Sequence, residues 1–117
     1  MDKIIVYGIP NCDTIKKTLA WFKKNKIRVL FHDYKTAGIT KERLSAWATK
    51  VGWEILLNKK STTWRALPDL QQDKITNKTA AIKLMMGNTS IIKRPVIEFR
   101  NELIVGFNEE IFIKQIK

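Results

Sequence analysis

The chain has 117 residues, 44% hydrophobic and 28% charged, a size and composition suited to one globular domain that needs no disulfide or metal staple. Five Gly and three Pro exclude collagen-like and Pro/Gly-rich disordered classes, and no apolar run nears the roughly 20 residues of a membrane span. The net charge of +11, from 22 Lys and Arg against 11 Asp and Glu, points to anionic partners or to a solvated surface; the lysines are spread out and form no basic tail.

Ile4-Ile5-Val6-Tyr7 is an apolar, β-branched run that predicts a buried strand, broken by Gly8, Pro10 and Asn11. A helical pattern follows with Ile15, Leu19 and Phe22 facing inward, and Lys23, Lys24 and Lys26 cluster where the negative end of its dipole falls. A second strand is expected over 28–33. Strand, helix and strand in some 30 residues make a βαβ unit, normally parallel and right-handed.

The middle of the chain reads as helical. Leu44, Trp47, Ala48 and Val51 share a face, with Thr40 as N-cap and Gly52 as stop. A short helical turn is expected at 53–57 and a polar loop at 58–63. Thr76 or Asn77 caps a further helix with Ala80, Ala81, Leu84 and Met85 inward, ending at Gly87. The period then changes. Strands at 95–99 and 102–105 flank Arg100-Asn101 as a two-residue hairpin connection. Asn108 caps a last helix, with Glu109 and Glu110 in its first turn and Ile113 and Ile116 on its inner face. The order is βαβ, helices, ββα: a single α/β domain over 1–117 with a helical insertion at about 40–90.

There is one Cys and one His. That excludes an intramolecular disulfide and a Cys/His zinc site, and suits a reducing, cytoplasmic location. The opening residues 1–7 meet Gly8 and Pro10 before a signal-peptide core could form. Cys12 is placed between a strand break and a helix start. The first turn of a helix offers unpaired N–H groups and about half a positive charge, which stabilise a thiolate or bind an oxyanion or carboxylate. Thr14 adds a hydroxyl donor, and Lys16 and Lys17 add positive charge. A free Cys is otherwise a small buried hydrophobe; the strand-Gly-x-Pro-Asn-Cys-helix context favours the reactive reading. Position 15, where a Cys-x-x-Cys pair would have its second thiol, is Ile. The resolving thiol therefore comes from outside, such as glutathione or another protein.

Arg94-Pro95, just before a strand, is a candidate cis bond, because cis peptides are nearly all X-Pro. Arg94 brings a permanent planar cation suited to carboxylates and oxyanions. Lys59 to Arg65 is a loop rich in donors and cations: it is either an anion clamp or a solvated loop anchored by Trp64. His32, at the end of the second strand, reads as structural. Trp21, Trp47 and Trp53 fit the core or its rim.

With these residues in place, the chain resembles the arsenate reductase (ArsC)-like family, most closely its YffB subgroup, over essentially its whole length. The matching stretches are Tyr7 to Lys17, Phe31-His32-Asp33-Tyr34, Gly52 to Asn58, Thr62-Thr63-Trp64-Arg65, Ile91-Ile92-Lys93-Arg94-Pro95 and Gly106-Phe107. The resemblance implies a thioredoxin-like fold with a mixed sheet and a helical insertion. It implies Cys12 as nucleophile, a cis Arg94-Pro95 beside it, and Arg94 binding the anion. The full set of candidate substrate- and anion-binding residues is Asn11, Asp13, Thr14, Lys60, Arg65, Arg94 and Pro95. No tightly bound cofactor and no metal are expected.

The activity implied is that of a glutathione-dependent thiol reductase, with glutathione as cosubstrate. The chain departs from true arsenate reductases at Gly8, where they carry His. It also lacks two further anion-clamping arginines: Asn58, Lys59 and Lys60 stand in one region and Val105-Gly106-Phe107 in the other, and Lys is no bidentate substitute for Arg. Arsenate reduction coupled to glutathione or a glutaredoxin-like protein is one alternative. The other is the Spx branch, whose members bind RNA polymerase and regulate transcription. Direct nucleic-acid binding is not expected, since no motif for it is present.

Overall fold

The structure, a computed structural model, describes residues 3–117; Met1 and Asp2, part of the opening stretch read for a signal core, lie outside the described residues. The chain divides into two compact units. One runs up to Lys35 and resumes over Arg94–Lys117; the other is Thr36–Lys93.

The first unit is built on a four-stranded sheet of order β2-β1-β3-β4. Its strands are β1 (Ile4–Gly8), β2 (Leu30–Asp33), β3 (Val96–Phe99) and β4 (Glu102–Val105). β1 pairs β2 in parallel and β3 antiparallel, and β3 pairs β4 antiparallel, so the sheet is mixed. Helix α1 (Asp13–Lys24) makes the crossover from β1 to β2. Ile4, Val6, Ile97, Phe99 and Ile104 bury one face of the sheet with Trp21 and Phe22 of α1 and Phe112 of the last helix. The spacing of Ile15, Thr18 and Phe22 gives α1 its inner face, and Leu19 is half-buried at the edge of that core.

β2 begins two residues later than its β-branched run suggests. The chain reverses at Lys26 in the left-handed region (φ 57°), and the Ile27 N–H still donates to the Phe22 carbonyl at 2.9 Å. Residues up to Val29 are thus spent leaving the helix. The hairpin forms as expected: Arg100 and Asn101 have φ of 51° and 63°, a two-residue turn with both residues left-handed, joining Phe99 to its partner Glu102.

Directly after β2, α2 (Tyr34–Ala37) is a single turn, of which Tyr34 and Lys35 belong to the first unit and Thr36 and Ala37 to the second. α3 (Lys41–Val51) is capped by Thr40, whose hydroxyl accepts from the Arg43 N–H at 3.2 Å, and it stops at Gly52 with φ 91°. α4 (Trp53–Leu56) and α5 (Thr62–Arg65) are short. Ser61 caps α5 by accepting from the Trp64 N–H at 3.1 Å, so the expected loop at 58–63 is cut short and Trp64 is buried. α6 (Asp69–Asp73) was not expected; it buries no residue and so carries no apolar period to read.

Asn77, not Thr76, caps α7 (Lys78–Gly87), accepting from the Ala80 N–H at 2.9 Å. Its buried residues are Ala81, Ile82, Leu84 and Met85, with Ile82 taking the place expected of Ala80. After a 3-10 turn at Thr89–Ile91, Ile92 bridges Leu57 and the Lys93 N–H donates to the Leu56 carbonyl at 2.7 Å.

The chain closes with α8 (Glu109–Gln115), capped by Asn108 as expected. Of its expected inner face, Ile116 packs against the core, but Ile113 is corrected. Phe112 is fully buried, whereas Ile113 is 52% exposed. Phe112 packs its ring 5.1 Å from Trp21, 5.7 Å from Phe22 and 5.4 Å from Phe107. An aromatic side chain one position earlier outweighs the isoleucine, because it fills the larger space against other rings. Among the described residues, no helix is long and apolar enough to cross a membrane.

Candidate functional site

β1 ends at Gly8, and four residues later Cys12 is the N-cap of α1. Its backbone is extended (φ −146°, ψ 125°), and its carbonyl accepts from the Lys16 N–H at 3.0 Å, the first bond of the helix. Its thiol makes no capping bond and is half-buried. The N–H groups of the first turn thus lack an intrahelical partner and have no side-chain cap, and the sulfur stands at the positive end of the helix. Such unpaired N–H groups at a helix start are the kind that bind anions. Asp13 in the same turn is exposed and also favoured by the dipole, while the Thr14 carbonyl accepts from the Thr18 hydroxyl at 2.7 Å. Lys17 sets its ammonium 4.7 Å from the centre of the Phe107 ring.

The other side of β1 is lined by β3. Tyr7 pairs Val96, so Arg94 comes alongside the end of β1, and its Cγ lies 3.9 Å from the position a Cβ on Gly8 would take. The Arg94-Pro95 bond is cis, as the resemblance implied, and the buried Pro95 accepts at its carbonyl from the Gly106 N–H at 2.8 Å. Asn11, Cys12, Asp13, Thr14, Arg94 and Pro95 therefore gather around the carboxyl end of β1, where α/β sheets commonly bind ligands. Lys60 and Arg65 belong to the other unit, where both are exposed. Among the described residues, no group of three His, Cys, Asp or Glu is placed to hold a metal ion.

Gly8 is fixed by sterics. A Cβ there would overlap Ile15 Cδ1 and come within 2.8 Å of Ile15 Cγ1, and Ile15 is fully buried. The side chain at position 15 occupies the space over position 8, so the two positions are matched. Gly8→Ala is expected to destabilise the fold by about 1–3 kcal/mol through overpacking. Ile15→Val in the same chain removes the Cδ1 and should return part of that loss. Denaturant unfolding of both singles and the double checks this; strictly additive losses would contradict it.

Sequence reasoning missed a polar and aromatic cluster at the same strand end. The Tyr7 hydroxyl donates to Glu98 Oε1 at 2.6 Å. The Tyr7 ring lies 4.7 Å from His32 and 6.3 Å from Tyr34, which fits the structural reading of His32. Burial holds the Tyr34 phenol well above its ordinary range; Tyr7 and Glu98 act in the same direction, and Arg94 opposes them. Tyr34 thus stays a neutral O–H donor. Its signals in the sequence are its place directly after β2 and its membership of the stretch Phe31-His32-Asp33-Tyr34 that carries the resemblance.

The chain belongs to the ArsC family, whose model matches residues 7–114. An uncharacterized protein of Haemophilus influenzae is 43% identical over 107 residues, covering 92% of this chain and 93% of that protein. The solved structure of a YffB protein superposes with a TM-score of 0.93 at 37% identity, covering 98% of this chain and all of the other. The global transcriptional regulator Spx of Streptococcus agalactiae is 26% identical over 109 residues, covering 92% of this chain and 78% of the regulator. The mixed four-stranded sheet in βαβ…ββα order is the thioredoxin-like fold of that family.

Proposed function

We propose that this protein is a single-cysteine thiol–disulfide reductase that uses glutathione as cosubstrate, acting as one domain with its helical segment inserted. The observation that supports it most is the half-buried Cys12 thiol, uncapped at the N-terminus of α1. The Cys12 thiolate attacks one sulfur of a disulfide. A Cys12 mixed disulfide forms, the original S–S bond breaks, and the second sulfur leaves as a thiolate. A glutathione thiolate then attacks the mixed disulfide, forms a new disulfide with the bound half and releases Cys12 as thiolate. The net change of these two steps is one glutathione thiolate bound into a disulfide and one substrate thiolate released; a second glutathione thiolate attacking that mixed disulfide releases the other substrate thiolate and leaves glutathione disulfide. No second cysteine is present to complete the cycle internally.

In this reading the first-turn N–H groups of Asp13 and Thr14 and the Arg94 guanidinium hold negative charge at the sulfur and on the substrate. Asn11 and the cis Pro95 shape the approach. Arsenate reduction fits less well, because the side chain that arsenate reductases carry at position 8 has no room beside Ile15. The test is turnover: the purified chain with glutathione should reduce a glutathione mixed disulfide, and the Cys12→Ser variant should not. Equal turnover by both would overturn the reading.

The Spx likeness over 92% of the chain favours a second reading, a transcriptional regulator that binds RNA polymerase. Co-purification of polymerase with the Cys12→Ser chain, together with an inactive wild type, would replace the first reading by this one.

A further inference from the structure

Two buried polar atoms in the first unit have no hydrogen-bond partner among the described residues: the Tyr34 hydroxyl and Arg94 Nη1. Tyr34 is only 3% exposed. Native proteins leave few such groups unpaired, since each has given up its water bonds for nothing in return. Here both flank one strand end. Gly8 pairs Asp33, so Tyr34 follows on the β2 side of β1. Arg94 comes from the β3 side, its Cγ 3.9 Å from the Cβ position of Gly8.

The neighbouring Tyr7, whose hydroxyl donates to Glu98, does not accept from the Tyr34 hydroxyl either. A neutral phenol and a guanidinium present donors only to a ligand that brings acceptors. A carboxylate offers two acceptor oxygens, and charge-assisted bonds from an arginine make it the favoured partner.

We infer that the Tyr34 hydroxyl and Arg94 Nη1 are the paired donors of a carboxylate-binding subsite at the carboxyl end of β1, the end that leads to Cys12. Which compound brings the carboxylate rests on the function proposed above: it is a carboxylate of the anionic thiol or disulfide substrate. Tyr34 thereby sets specificity. It selects substrates that carry a carboxylate and takes no part in the sulfur exchange. Its phenol is protonated throughout the working pH range, so it attracts the anion where an ionised phenolate would repel it.

The test is a binding titration on the Cys12→Ser chain, which removes the sulfur chemistry. The probes are S-methylglutathione and its dimethyl ester. The acid is expected to bind at least about tenfold more tightly than the ester. Tyr34→Phe in the same background should weaken the acid by about tenfold and leave the ester unchanged. The variant folds if its circular dichroism and cooperative unfolding match the parent, as expected where the hydroxyl holds no bond.

Equal binding of acid and ester, no binding of the acid, or an acid affinity untouched by Tyr34→Phe would each overturn the subsite. The wild-type turnover assay separates the two failures. Acid binding that depends on Tyr34, in a chain that cannot reduce disulfides, leaves the subsite standing and removes the reductase. An active reductase whose affinity ignores Tyr34 does the reverse.

Discussion

Cys12→Ser is expected to lower glutathione-dependent disulfide reduction by at least about a thousandfold while leaving the fold intact or slightly firmer. The two halves of this prediction have separate causes. A serine hydroxyl cannot form the mixed disulfide, so the exchange loses its first step. Yet position 12 is an N-cap with extended backbone whose present side chain makes no capping bond. Serine is among the best N-cap residues, and its hydroxyl can accept from the N–H two or three residues on. A gain of about 0.5–1 kcal/mol in stability is therefore expected, read by denaturant unfolding. A residue kept for chemistry at a structural position produces this split. Loss of stability together with activity would instead mark Cys12 as a packing residue.

Phe112→Ala is the substitution expected to damage the fold most, by about 3–5 kcal/mol, while the adjacent Ile113→Ala should fall within about 0.5 kcal/mol of the parent. Phe112 is fully buried and meets Trp21, Phe22 and Phe107 at ring distances of 5.1–5.7 Å; Ile113 is 52% exposed. Removing the ring leaves a cavity lined by three other rings, which cannot all close in. Guanidinium unfolding of both variants is the check. Comparable losses for the two would mean that α8 turns its other side to the sheet.

The end of the chain also shows what a sequence can and cannot convey. The period of Ile15 and Phe22, the cap at Thr40 and the strand–turn–strand around Arg100-Asn101 are local signals, and each appears where it was read. In α8 the local signal was half right: Ile116 packs against the core, but Ile113 faces out, because the choice of face depends on rings from α1 that are about 90 residues away in the chain. α6 left no trace, having no buried face.

The site divides in the same way. The Cys12 environment is local, a strand break and a helix start, and is legible without a fold. Arg94 gains its place only through the register that sets Val96 against Tyr7. Tyr34 gains its place only through the pairing of Gly8 with Asp33. Neither position has a periodic or compositional mark. The emptiness over Gly8 also belongs to the fold, since only packing reveals that Ile15 fills it.

The most direct test of the account is the intact mass of the wild-type chain after incubation with excess glutathione disulfide, then after addition of reduced glutathione. One glutathionyl group per chain is expected, located on Cys12, formed with release of one glutathione and removed by the second addition with return of the free thiol. A chain that gains no adduct, or holds one that glutathione does not release, would contradict it.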